Sequence, residues 1–182
     1  MRSVWFSRSV LDTLLSVLTI SPLRYDDAVP RTSRTPDLLA LDRQVCFALA
    51  VASRNVIALY RPVLEPMGLT HPQYLVMLAL WERSPRTLND IARALALEPA
   101  TLSPLLKRLE AAGYVTRGRS AEDERALEVQ LTAEGQALRK QAERVPPAII
   151  ERLGMPLAEL ERIRDDLTVL LTAAADRNHP EK

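Results

Sequence analysis

Apolar and polar positions alternate along most of this chain with the period of a helix. Asp37 follows Pro36 and opens a long segment running to about Leu64, in which Leu38, Leu41, Val45, Leu49 and Ala52 recur at helical spacing. Pro62, Pro66 and Gly68 mark its end. The next stretch, "THPQYLVMLALWER", predicts a helix capped by Thr70 and apolar nearly all round from Tyr74 to Trp81, which places it at the centre of a domain. Two shorter helices follow. "TLNDIARALAL" has Thr87 as N-cap, Asp90 at the positive helix end, and Leu88, Ile91 and Leu95 on one face. After the break "LEPA", "TLSPLLKRLEAAG" turns Leu102, Leu105, Leu106 and Leu109 inward, with Gly113 as its stop. Pro104 leaves two starts open for this helix. It begins near Ser103 with Pro104 in its first turn, or it begins at Pro99 and Pro104 bends it.

The period then changes to two. Leu127, Val129 and Leu131 alternate with Glu128 and Gln130, and Val115 and Arg117 alternate before a charged tip, "SAEDER". Two short helices followed at once by a β-hairpin form a winged helix. Thr132 caps a further helix, "AEGQALRKQAERV", stopped or kinked at Pro146-Pro147. The last helix, from about Pro156 to Ala175, places Leu160, Ile163, Leu167 and Leu170 in a coiled-coil-like seam. A lone seam leaves apolar surface in water, so it calls for another helix, supplied by a partner subunit. The fold class is therefore mainly α with a small β-hairpin wing. Its expected organisation is a winged helix-turn-helix DNA-binding region over residues 67–131, with residues 37–66 and 132–176 forming a helical dimerisation region. Residues 177–182 are a tail.

Composition narrows the function classes. Only 4% of the residues are aromatic and five are glycine, which favours helix over sheet. The formal net charge is +1, so contact with nucleic acid must come from a local patch. A single cysteine, Cys46, excludes an internal disulfide and suits a reducing cytoplasm. No run of about 18 or more apolar residues appears, so no membrane span or membrane partner is expected. The first 23 residues superficially resemble a signal peptide, but Arg8 and Asp12 interrupt the apolar region and no small-x-small cleavage site follows. With "RYDDAVPRTSRTPD", they make residues 1–36 an appendage: a poorly ordered tail, an unused upstream start, or a functional arm.

Lys107, Arg108, Arg117, Arg119 and Arg125 gather between Thr101 and Arg125, against Glu110 and the tip acids Glu122, Asp123 and Glu124. On the second short helix, Lys107 and Arg108 can reach bases or phosphates of double-stranded DNA. Thr101 and Ser103 add hydroxyls near the helix N-terminus. Arg125 at the hairpin tip is placed as a minor-groove probe. Taken singly, each is an ordinary solvated charge; the order of elements around them carries the DNA reading. A two-fold dimer would match a palindromic operator.

Enzymatic chemistry finds little support. There is no phosphate loop and no recognisable acid pair. A thiol-dependent enzyme would need a base or resolving partner, and the only histidines are His71 and His179. One cysteine with two scattered histidines makes no metal site, and no cofactor is expected.

The stretch "TLSPLLKRLEAAGYVTRGRSAEDERALEVQLTAEG" resembles the MarR family of winged-helix regulators, whose wing commonly carries a D-x-R element, here Asp123 and Arg125. Upstream, "LDRQVCFALAVASRNVIALYRPVLEPMGLTHPQYLVMLALWE" resembles the organic-hydroperoxide-sensing, OhrR-type branch, and the two matches together span roughly residues 38–175. The resemblance implies a homodimeric repressor with a reactive cysteine at Cys46. In that branch, an organic hydroperoxide oxidises the cysteine to sulfenic acid, and further reaction with a thiol releases the operator. Tyrosines hold the sulfur in this branch. Tyr60 keeps one of these positions, a second falls at Ala50 and a third at His71. The recognition helix also departs from the family's small polar start, at Pro99 and Ala100, with Pro104 further along.

Geometry adds a constraint. Cys46 and Tyr60 are 14 residues apart, about 21 Å along a helix at 1.5 Å per residue. They meet only if the helix breaks, or if Tyr60 comes from an antiparallel copy in the second subunit. Reactivity requires thiolate, and Arg43 and Arg54 are the candidate cations. A helix that starts at Asp37 leaves Cys46 too deep to gain much from the dipole, whereas a start nearer Asp42 puts it in the first turns. The oxidised product is then a sulfenic acid, a sulfenamide, a mixed disulfide with a low-molecular-weight thiol, an over-oxidised acid, or a Cys46–Cys46 link; the small-thiol route is preferred. The alternative is a MarR-type regulator released by a small organic ligand, with Cys46 a buried apolar filler.

Overall fold

The computed structural model describes residues 37–119 and 127–178. The chain divides into two compact units, Met1–Gln44 and Val45–Lys182. In the first, Asp37 turns the backbone on itself: its carboxylate accepts from Leu39 N at 2.9 Å and its carbonyl from Ala40 N at 3.2 Å. A 3-10 turn, Leu41–Arg43, follows, and the Gln44 side-chain amide donates to Leu38 O at 2.5 Å. The helix expected from Asp37 is thus captured locally, and α1 begins only at Val45, spanning Val45–Leu64.

The second unit continues with α2 (His71–Glu82), β1 (Arg86–Thr87), α3 (Leu88–Ala94), α4 (Pro99–Ala111), β2 (Val115–Arg119), β3 (Leu127–Leu131), α5 (Ala133–Ala142), α6 (Val145–Leu153) and α7 (Leu157–Asn178). The three strands pair antiparallel in the order β1-β3-β2, with Arg117 and Arg86 both opposite Val129. Mainly helical with a small sheet is the expected class, and the hairpin lies where period two placed it. β1 is an addition: two residues are too short to show a period.

Caps explain the helix starts. Thr70 N–H and its hydroxyl both donate to Gln73 Oε1, at 2.9 and 2.8 Å, at the head of α2. Thr87 Oγ1 accepts from Asp90 N at 3.1 Å at the head of α3. For α4 the structure selects the earlier start: Pro99 opens it and Pro104 lies inside it. Pro146 and Pro147 play a different part from the one expected. α5 ends at Ala142, and these prolines sit in the first turn of α6, where a missing N–H costs nothing.

The buried core runs through α2, α3, α4, the sheet, α5 and α6, with Val76, Met77, Ile91, Leu102, Leu106 and Val129 fully enclosed. α1 contributes only Leu64 to it, and α7 contributes nothing. One helical stretch, Val45–Met67, departs from the sequence expectation. By length and mean hydropathy (1.2) it is apolar enough to cross a membrane, yet only 6% of it is buried. Arg54 and Arg61 interrupt it, so its apolar side is one face of a helix rather than its whole girth.

At one point the core closes backbone on backbone. A Cβ added to Gly135 would lie 2.0 Å from Tyr114 O and 3.3 Å from a Leu131 methyl. Gly135 also anchors α2, since Trp81 Nε1 donates to its carbonyl at 2.8 Å. Gly135→Ala should therefore destabilise the fold by about 3 kcal/mol, at the upper end of overpacking costs. The urea midpoint at unchanged slope reads this directly. An unmoved midpoint would mean that the start of α5 can retreat.

Candidate functional site

α1 is unbroken from Val45 to Leu64, with Pro62 accommodated near its end. Cys46, its second residue, is exposed, and Ala50 lies one turn further on the same flank. The sulfur therefore sits in the first turn, where the aligned peptide dipoles present their positive end. Arg54 is eight residues on, about 12 Å along the axis. Because the helix does not break, one of the two ways of joining Cys46 to Tyr60 is removed.

The other end of α1 carries an aromatic cluster. The Tyr60 ring meets His71 edge-on, with centroids 4.8 Å apart, and lies 6.1 Å from Tyr74, which in turn lies 6.3 Å from Trp81. Tyr60 and His71, separate in sequence, are thus neighbours, and Cys46 is apart from both. Tyr74 and Trp81 read as core from the sequence. Their seven-residue spacing was the available sign that they share a face with Tyr60's neighbourhood. Burial pushes the Tyr60 phenol up, and it pushes the His71 imidazole down. At neutral pH, Tyr60 therefore keeps its O–H donor and His71 is uncharged. A cavity of about 570 Å³ opens beside them, lined by Ile57, Arg61, Glu65, Leu69, His71 and Pro72 among others.

A second surface lies on α4. Leu102, Leu106 and Leu109 face the core, and Thr101, Pro104 and Arg108 form a stripe on the opposite side with Lys107 beside it, all exposed. Among the described residues, neither Lys107 nor Arg108 has an ion-pair partner. Ser103 is half-buried and its hydroxyl donates to Pro99 O at 3.0 Å, so its proton is already engaged. Arg117, a cation of the same window, is committed too. Its Nε and Nη2 both reach Glu110 Oε2, which ties α4 to β2. Beside that guanidinium the Glu110 carboxyl is held below the usual carboxylate range. Arg119 remains exposed on β2. Asp123 and Arg125, expected from the sequence at the wing tip, and His179 lie outside the described residues. No group of three or more His, Cys, Asp or Glu gathers as a metal site among the described residues.

The chain is similar to known proteins in sequence and in fold. The family described as transcriptional regulator SarA/Rot matches residues 58–142. The organic hydroperoxide resistance transcriptional regulator of Bacillus subtilis (strain 168) is 36% identical over 142 residues, covering 78% of this chain and 97% of that protein. Two solved structures of AbfR, a Staphylococcus epidermidis protein, are also similar. Reduced AbfR bound to DNA matches at TM-score 0.61 and 39% identity, over 74% of this chain and 94% of that one. Overoxidized AbfR bound to DNA matches at TM-score 0.60 and 40% identity, over the same shares.

Proposed function

The chain belongs to the MarR family of winged-helix DNA-binding transcriptional regulators, in its organic-hydroperoxide-regulator branch, and on that premise we propose that it is a homodimeric repressor that releases its operator when an organic hydroperoxide oxidises Cys46. One observation carries this reading: an unbroken helix holds the exposed Cys46 at one end and, at the other, Tyr60, which packs against His71 of α2. Two copies of α1 laid antiparallel bring the sulfur of each to the aromatic pair of the other. Such a dimer also covers the apolar side of α1 and the exposed seam of α7, which accounts for a membrane-length helix in a regulator.

The chemistry balances within that site. The Cys46 sulfur attacks the outer oxygen of the hydroperoxide, an S–O bond forms and the O–O bond breaks. The alkoxide leaves as the alcohol, taking the proton the thiol surrendered. Sulfur loses two electrons and the peroxide gains them. A low-molecular-weight thiol then attacks the sulfenic sulfur, forms a mixed disulfide and releases the oxygen as water. Tyr60 O–H and the neutral imidazole of His71 donate to the sulfur, and Ala50 leaves unfilled the place of a further hydroxyl.

On the DNA side, α4 enters the major groove of a palindromic duplex. Thr101, Pro104, Lys107 and Arg108 lie along it, and Ser103 offers only lone pairs. Asp123 and Arg125, the D-x-R element of the sequence, are the further candidates for DNA contact. Lys107→Ala, Arg108→Ala and Arg125→Ala should each weaken binding, and each lost phosphate contact should lower the salt slope by about 1. A variant with unchanged affinity and slope removes that residue from the interface.

The test of the whole reading is a binding titration with a duplex selected by the reduced protein, with and without cumene hydroperoxide, followed by intact mass. Release accompanied by a gain of one oxygen or one small thiol supports it. Release with unchanged mass favours the second reading, a regulator released by a small organic ligand. The cavity of about 570 Å³ beside His71 is the observation on that side.

A further inference from the structure

Tyr114 stands where the end of α1 meets the recognition helix. Its backbone belongs to α4: Gly113, at φ +78°, closes the helix, Tyr114 N donates to Leu109 O at 3.0 Å and Gly113 N to Glu110 O at 2.9 Å. This is a Schellman stop, so Tyr114 moves with α4. Its carbonyl accepts from Thr132 N at 3.1 Å and is pressed by Gly135, which joins it to the head of α5. Val115 of the wing follows directly. The side chain points elsewhere. Tyr114 Oη donates to Met67 O at 3.1 Å, in the 3-10 turn Glu65–Met67 that ends α1. That turn is itself fixed: Gly68, at φ +64°, closes it, Gly68 N donates to Glu65 O and Leu69 N to Leu64 O. Among the described residues this is the one hydrogen bond between residues 45–69 and 86–131.

We propose that the Tyr114 hydroxyl is a positioning group for regulation: it transmits the attitude of α1 to the recognition helix and the wing, so that chemistry at Cys46 changes DNA binding. The proposal rests on the sensing reading above. The end of α1 and the segment after it meet the core through Leu64, Met67 and Leu69, and such apolar contacts tolerate sliding because they lack direction. A hydrogen bond weakens steeply with angle and distance. A shift of α1 on oxidation therefore carries Met67 O with it, and Tyr114, held by that bond, follows together with the recognition helix, the wing and the head of α5. Coupling of this kind is a difference in affinity between two states.

Tyr114→Phe keeps the ring and removes the hydroxyl. The full chain is titrated with the selected duplex, reduced and after cumene hydroperoxide, with intact mass showing that Cys46 is oxidised equally in parent and variant. In the variant the reduced-to-oxidised affinity ratio should shrink about fivefold, the scale of one neutral hydrogen bond. A merely structural role would lower thermal stability and leave the ratio unchanged, and that result overturns the proposal. A parent that keeps its DNA with Cys46 oxidised overturns the sensing reading and this inference with it. Release by parent and variant in equal ratio overturns this inference alone.

Discussion

Cys46→Ser should bind the selected duplex as the reduced parent does and should no longer release it on treatment with organic hydroperoxide. The substitution is close to isosteric, and Cys46 is exposed and outside the buried core, so the fold has no reason to change. A serine hydroxyl is not oxidised by a peroxide, so the covalent step is removed without removing the residue. Regulatory couplings of this kind are typically about 5- to 150-fold in affinity, and the whole of that change should vanish. Duplex binding by fluorescence anisotropy, with hydroperoxide added at equilibrium, measures it. If the variant is released as the parent is, oxidation at Cys46 is not the signal. The cavity lined by Ile57, Arg61 and His71 then becomes the place to seek an inducer. A Tyr60→Phe variant should fall between parent and Cys46→Ser, because it loses one donor to the sulfur while the sulfur remains.

The sequence disclosed the helices and the hairpin because each has a local cause. Period and caps stand in the chain itself: Thr70 with Gln73, Thr87 with Asp90, Gly113 after Leu109. Three features were not legible, for reasons of geometry. β1 is two residues long and exists only because β3 offers it a partner at Val129. The prolines at 146 and 147 interrupt a run in sequence, yet they can equally open a helix, and only the end of α5 at Ala142 decides between these. The start of α1 depends on how Asp37 and Gln44 spend their hydrogen bonds on residues 38–40. At the site, the 14-residue separation of Cys46 and Tyr60 was evident from the chain and the family resemblance named His71, but the contact between Tyr60 and His71 was not legible. His71 meets Tyr60 only because α2 folds back along the end of α1. Arg117 looked like a free cation until β2 carried it to Glu110, a pairing that long-range strand register creates.

Ile163→Glu combined with Leu167→Glu should turn the protein into a monomer and weaken operator binding by about 10²- to 10⁴-fold. In the single chain these side chains are 40% and 37% exposed, and no residue of α7 enters the buried core. Carboxylates there are solvated in the monomer, so the winged-helix core of the single chain should stay folded. In a dimer seam the same carboxylates lose their water and gain no cation, a cost that a partly polar rim would escape but a seam does not. A palindromic duplex engages both halves of a dimer, and linking two modest contacts multiplies affinity without any new one. Breaking the link returns the protein to the affinity of a single half-site. Sedimentation equilibrium gives the mass and anisotropy gives the affinity. Oxidation supplies a third readout that ties the two sites together. If the Cys46 sulfur is held by Tyr60 of the partner subunit, the monomer's own Tyr60 is too far away to replace it, about 21 Å along α1, and its thiol should react with hydroperoxide more slowly than the parent's. A double variant that stays dimeric would move the interface away from α7. One that becomes monomeric yet reacts at the parent's rate would support α7 as the interface and separate the chemistry of Cys46 from Tyr60.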